Sequence, residues 1–202
     1  MVGFKFPESI KSRPVYGTLS VKRGVDHLII ADGEGAEAII RLAKLNNQLI
    51  EKSHIIYIPK HTKTIFVDQL KELMPRQLYL GPSYPASVSR IRQALMNAKM
   101  GLLVYLAGTE GLIGQAQNEC MSSGVPHTAI QTEHCGSVAR RMQCVHCKGI
   151  TEDVIMDPFT CKHCGLNLFI RDHYSRRLAA FQGVCVDAED PGNVPEAVEL
   201  YK

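Results

Sequence analysis

With 202 residues, 45% of them hydrophobic and 21% charged, the chain can build one α/β domain and a small module, but not two domains with large cores. A formal charge of +3 is slight for a dedicated nucleic-acid binder, and no run of 18 or more apolar residues is present to cross a membrane. The start, Met1 to Pro7, lacks the basic-then-apolar layout of a signal peptide, so the seven cysteines are expected in a reducing, cytoplasmic setting.

Residues 1–25 form a polar, proline-punctuated lead-in with one expected strand, Tyr16 to Val21. His27 to Ala31 is then a short apolar run of the kind a buried parallel strand needs, stopped by Asp32-Gly33-Glu34-Gly35. Ala36 to Leu45 follows with helical spacing, and Ile55 to Ile58 is a second buried strand ended by Pro59. Val67 to Met74 predicts a helix and Leu78 to Leu80 a third strand. Ser87 opens a helix with Val88, Ile91, Leu95 and Met96 on one face. Leu102 to Ala107 is a fourth strand, Leu112 to Ser122 a helix stopped at Gly124, and Thr128 to Thr132 a short fifth strand. Strands alternating with helices predict a parallel sheet covered on both faces.

At Gly136 the texture changes to cysteines, histidines and short strands. Cys144-Val145-His146-Cys147 and Cys161-Lys162-His163-Cys164 are separated by thirteen residues. Two residues between cysteines let the backbone aim both sulfurs at one ion, and two such knuckles complete a tetrahedron. Cys144, Cys147, Cys161 and Cys164 are therefore the expected ligands of a structural zinc, with a single iron as the alternative and disulfides or free thiols as the bland reading. Gly165 permits the tight turn after the last ligand. His146 and His163 sit inside the knuckles, where they could replace a sulfur but are expected as exposed flanks. Cys120 is expected in the core, and Cys135 is the one thiol worth watching for reactivity. Leu168 to Phe181 predicts a ribbon strand followed by a capped helix, with Arg176 and Arg177 as a weak anion or interface signal. The tail after Asp187, rich in acid, Pro and Gly, is expected to be weakly ordered.

The glycine-rich turn carries the candidate nucleotide-contacting residues Gly33 and Gly35, with Gly108 in the matching loop after the fourth strand. From Leu28 to Glu133 the order of elements resembles the nicotinamide-dinucleotide half of the ferredoxin-reductase family. Leu28 to Gly35 stands where that family has its strand and Gly-Gly-x-Gly loop, and Val104 to Ile113 where it has its Tyr-x-Cys-Gly-Pro loop. The departures weigh more. Asp32, Glu34 and Glu37 place three carboxylates where a pyrophosphate would lie. Ala107 replaces the family's cysteine, Thr109 its proline, and Pro59-Lys60 its arginine. The expected fold is thus a degenerate ferredoxin-reductase-like α/β domain followed by a four-cysteine zinc ribbon. The expected divisions are a lead-in at 1–25, the α/β domain at 26–138, the ribbon and its helix at 139–186, and an extension at 187–202.

Together with the ribbon, Asp172-His173-Tyr174-Ser175-Arg176-Arg177-Leu178-Ala179-Ala180-Phe181-Gln182-Gly183-Val184 resembles the DmmA family of dimethylamine monooxygenase subunits. The resemblance implies a multi-component enzyme that oxidatively N-demethylates dimethylamine to methylamine and formaldehyde with O2 and NADPH. It further implies that haem, flavin and iron–sulfur centres belong to haem-binding and reductase partner subunits. No catalytic residue is expected here, and the chain is expected to be a scaffold, docking or electron-transfer-supporting subunit. A rubredoxin-like iron carrier and a zinc-ribbon nucleic-acid binder stand as alternatives.

Overall fold

The computed structural model describes residues 12–60 and 64–201. The described residues form two compact units, one within 16–137 and one of 12–15 together with 138–201.

In the first unit, β1 (Asp26–Asp32), β2 (Ser53–Ile58), β3 (Gln77–Leu80), β4 (Leu102–Gly108) and β5 (Ile130–His134) make a parallel sheet in the order 3-2-1-4-5. The alternation of strand side chains divides the apolar runs between two cores. Ile29, Ala31, Ile55, Tyr57, Tyr105 and Ala107 pack on one face with α1 (Gly35–Leu45), α2 (Asn47–Glu51) and α3 (Ile65–Glu72). Leu28, Ile30, Ile56, Ile58, Val104 and Leu106 pack on the other with α4 (Tyr84–Met96) and α5 (Glu110–Ser122). Continuous apolar strands are what such a doubly covered sheet requires.

Local signals set the helix ends. Asn46 caps α2 by accepting from the Leu49 amide, and Gly124, at φ +89°, stops α5. The helix expected from Ser87 starts earlier, because Ser83 is the cap, accepting from the Ala86 amide, and Pro85 fits the first turn. The strand expected at Tyr16 to Val21 does not form. That segment is instead held by side chains of β5: Glu133 accepts from the Leu19 amide, and Gln131 exchanges hydrogen bonds with Ser20.

The second unit is built on β6 (Arg140–Cys144), β7 (Ile150–Val154), β8 (Met156–Asp157), β9 (Phe159–Thr160), β10 (Asn167–Ser175), β11 (Ala180–Cys185) and β12 (Val198–Glu199). Five of these form a sheet in the order β7-β6-β11-β10-β9, and β12 pairs with β8. The helix expected after the ribbon is a hairpin instead. β10 and β11 pair antiparallel around a turn at 176–179, closed by the Leu178 amide on Ser175 and by Ala179 in the left-handed region. Tyr174 meets Phe181 edge-on at 5.0 Å, a cross-strand contact that a helix would not give. β10 bulges between Arg171 and Tyr174, and Ser12 bonds into the bulge through the Asp172 carbonyl and the Tyr174 amide.

The acidic tail, expected to be weakly ordered, returns to this unit. Leu200 and Tyr201 donate to the Ile155 carbonyl, and Tyr201 covers one face of the Arg140 guanidinium. Phe181 covers the other face, each ring centre lying 4.1 Å away. Arg140, only 5% exposed, also binds Asp172 at 2.7 Å, and Arg13 holds the same carboxylate. Burial pushes the Asp172 carboxyl up, but hydrogen bonds from Arg13 and Arg140 outweigh it and leave it below its ordinary value. The stabilisation is present at neutral pH and is lost as acid protonates this carboxyl, below about pH 4. Arg140→Ala is expected to cost about 2–4 kcal/mol in urea unfolding, and Tyr201→Ala about 0.5–2 kcal/mol.

Candidate metal centre and the loop at the head of the sheet

The two knuckles repeat one hydrogen-bond pattern. The Cys144 amide donates to Gly149 and the Lys148 amide to Cys144; the Cys161 amide donates to Leu166 and the Gly165 amide to Cys161. Each knuckle turns on a left-handed residue, Lys148 at φ +63° and Gly165 at φ +75°. Only the second uses the residue that adopts this conformation freely. Cys144 and Cys161 are buried in the small core with Met142, Leu168 and Phe181, while Cys147 is exposed.

The four sulfurs lie within 4.8 Å of one another. Cys144 and Cys164 are 3.8 Å apart and Cys147 and Cys161 3.7 Å apart. A metal bonded to four thiolates at about 2.3 Å in a tetrahedron sets sulfurs about 3.8 Å from one another, so the donor set fits one tetrahedral ion. The Gly149 amide donates to the Cys147 sulfur, the kind of bond that orients and stabilises a thiolate ligand. Burial raises the Cys161 thiol, yet backbone amides and the adjoining sulfurs outweigh it and bring it down to about 6.

His163 bonds the Ile150 carbonyl at 2.7 Å, and His146 is exposed. Burial lifts the Cys120 thiol to about 12; burial and Glu133 lift Cys135 to about 11. Neither is poised as a nucleophile at neutral pH.

Gly33, Gly35 and Gly108 come together at the carboxyl ends of β1 and β4, the switch point where a doubly wound sheet normally opens to a ligand. Here the glycines are bound to neighbouring parts of the chain. The Gly33 amide donates to the Ile58 carbonyl, and the Gly33 carbonyl accepts from the buried Tyr57 hydroxyl at 2.7 Å. A side chain on Gly35 would overlap the Ala107 carbonyl, and one on Gly108, at φ +130°, would overlap the Asp32 carboxylate. Asp32 is 1% exposed. It accepts from the Thr109 amide at 2.7 Å and hydroxyl at 2.6 Å, and pairs with Lys60 at 2.7 Å. Glu34 and Glu37 are exposed. Of the three acids in the loop, one is therefore an internal tie and two are solvated. Spacing alone did not reveal that tie, because its partners lie far along the chain; the substitution of Lys60 and Thr109 into nucleotide-loop positions was the available signal.

Residues 8–130 match the family described as dimethylamine monooxygenase subunit DmmA-like, N-terminal domain, and residues 141–184 match its C-terminal domain. The chain belongs to the DmmA-like family. A curated relative of this DmmA-like chain, the heme-dependent oxidative N-demethylase delta subunit of Ectopseudomonas mendocina (strain ymp), is 32% identical over 97 residues. That alignment covers 48% of this chain and 55% of the relative, so the chain spans about half the relative's length. Among solved structures, phthalate dioxygenase reductase gives a TM-score of 0.46 at 13% identity, covering 68% of this chain and 46% of that one. The flavohem-like FAD/NAD-binding domain of nitric oxide dioxygenase from Vibrio cholerae O1 biovar El Tor gives 0.41 at 18%, covering 61% and 56%. The 3-2-1-4-5 strand order, rather than these overlays, defines the DmmA-like α/β domain.

Asp32→Ala, which removes the acceptor of the Thr109 amide and hydroxyl and leaves the exposed Lys60 to solvent, is expected to lower stability by about 2–4 kcal/mol in urea unfolding. Asp32→Asn, which keeps the shape but not the charge, should lose about 1–3 kcal/mol. In the module, Lys148→Gly is expected to stabilise by about 0.5–1 kcal/mol by relieving the left-handed backbone, with Gly165→Ala costing a similar amount. Both shifts are measurable by thermal unfolding of the metal-loaded chain.

Proposed function

We propose that this chain is an accessory subunit of a haem-dependent oxidative N-demethylase and docks its partners through a zinc-stapled module. The observation that carries this reading is the contrast between the chain's two motif-bearing regions. The four sulfurs are arranged for an ion, whereas the crevice that would take a dinucleotide is filled by Asp32, Thr109 and Lys60. Gly33, Gly35 and Gly108 accordingly serve packing rather than cofactor contact, and NADPH is oxidised on a reductase partner. Haem, flavin and iron–sulfur groups reside on partner subunits, and the overall reaction converts dimethylamine, O2, NADPH and a proton to methylamine, formaldehyde, water and NADP⁺. This chain contributes no catalytic residue to it.

Cys144, Cys147, Cys161 and Cys164 would hold the zinc, and the ion would supply folding energy to a module with only a small apolar core. No helix among the described residues is long and apolar enough to cross a membrane. Cysteines arranged as paired metal knuckles favour a reducing cytoplasm.

Co-expression with the haem and reductase subunits, followed by size-exclusion chromatography, metal analysis and a visible spectrum, tests the proposal. The expected outcome is one zinc per chain, no thiolate-to-iron absorption, and co-elution with both partners. Cys161→Ser should lose the metal and the co-elution while the α/β domain keeps its helical circular dichroism. Acidification should release the metal as protons compete for the thiolates. A coloured four-thiolate iron would replace docking by an electron-relay role, and a metal-free Cys161→Ser chain that still assembles would end the docking reading.

A further inference from the structure

The amino ends of the same parallel strands enclose a second feature, at the opposite end of the sheet from the Asp32 contacts. A cavity of about 310 Å³ lies there, lined by residues from β1, β2, α4 and the approaches to β3 and β4. That volume is at the lower end of small-molecule sites. Two of its lining residues are histidines that begin buried strands, His27 at 4% exposure and His54 at 7%. His27 Nδ1 and His54 Nε2 are both buried and lack a hydrogen-bond partner among the described residues, as does Arg90 Nε. Three unmatched polar atoms around one cavity are uncommon, because each such group forfeits its hydration without compensation.

The charge around the cavity is net positive. Arg76, Arg90 and Lys99 line it, and the single carboxylate present, Asp26, is already taken by Arg76 at 2.6 Å. Among the described residues, Arg90 bonds the neutral Gln77 and Gln93 side chains and lies over the Tyr79 ring, and no described carboxylate pairs with Arg90 or Lys99. Burial lowers the pKa of His27; burial, then Arg90 and Arg76, lower that of His54 to about 4. Both rings are therefore neutral at pH 7, and each offers one N–H donor.

We propose that this cavity binds a small oxyanion, a carboxylate- or phosphate-bearing molecule, between the two histidine rings and the Arg90 and Lys99 side chains. The site is separate from the docking role proposed above and stands or falls without it. An oxyanion would accept from the buried imidazole donors and the Arg90 guanidinium, and would neutralise the surplus positive charge at the rim.

The test uses the full metal-loaded chain, with inorganic phosphate and malonate as the two probes. Binding is followed by calorimetry and by the ring signals of His27 and His54 in NMR. The expected result is saturable binding of at least one probe with a Kd of about a millimolar or tighter, accompanied by shifts of both ring signals. Arg90→Gln on α4 and Lys99→Gln on its following loop should each weaken binding about tenfold or more, and Lys99→Gln, at an exposed side chain, should do so without changing thermal stability in the absence of probe. Phosphate preferred over malonate points to a phosphate ester as the natural ligand, and the reverse order to a dicarboxylate. Failure of both probes to saturate at roughly ten times a millimolar Kd overturns the proposal. So does binding that persists unchanged in both variants or leaves the histidine signals unmoved.

Discussion

The carboxylate of Asp32 is the constraint on which the α/β domain is organised. Sitting at the end of β1 with 1% exposure, it must find partners for its charge within the protein. It finds them in the Thr109 amide and hydroxyl at the mouth of β4 and in Lys60, which turns back from the end of β2 through a left-handed backbone. Three strand ends are thereby tied at one point. The close approaches at Gly35 and Gly108 follow, since no side chain could stand between the Asp32 carboxylate and the β4 turn. A doubly wound sheet usually leaves this place open because strands diverge where the winding reverses. Here internal polar contacts tie the strand ends together at that place.

The two units solve the problem of stability differently. The α/β domain covers both faces of its sheet with apolar side chains and relies on burial. Among the described residues, the core cluster of the smaller unit has eight buried apolar residues, two of them cysteines of the four-sulfur cluster. Its remaining order comes from polar devices: the shared Asp172 between Arg13 and Arg140, the two rings against the Arg140 guanidinium, and the knuckle hydrogen bonds. Such devices are directional, so they define a shape more sharply than they stabilise it, and an ion at the sulfurs complements them.

What was legible in the sequence followed from local chemistry. Apolar runs such as Leu28 to Ala31 and Val104 to Ala107 announce buried parallel strands, because only a strand covered on both faces needs consecutive apolar residues. The cysteine spacing announces the sulfur cluster, because two residues are what a knuckle requires. Arrangements that depend on distant partners were not legible. Tyr16 to Val21 has strand-like composition, but its amides are bound by Glu133 and Gln131 side chains. Arg176 to Ala179 has helix-like composition, but Tyr174 and Phe181 close it into a hairpin. His27 and His54 look like ordinary strand openings, and only the fold brings them to one cavity. The acidic tail looks like a solvated end because nothing near it reveals the Arg140 face that Tyr201 covers.

The pairing of Ser12 with the β10 bulge and of β12 with β8 has a consequence for biogenesis. In chain order the α/β domain is an insertion, flanked on both sides by pieces of one smaller unit. During vectorial synthesis the inserted domain is complete once Ser137 has emerged, and it can fold while its flanks are still apart. The N-terminal piece must then wait for β10, and Arg140 must wait for Tyr201. The cysteines therefore leave the ribosome before β10 and β11, the strands against which their small core packs.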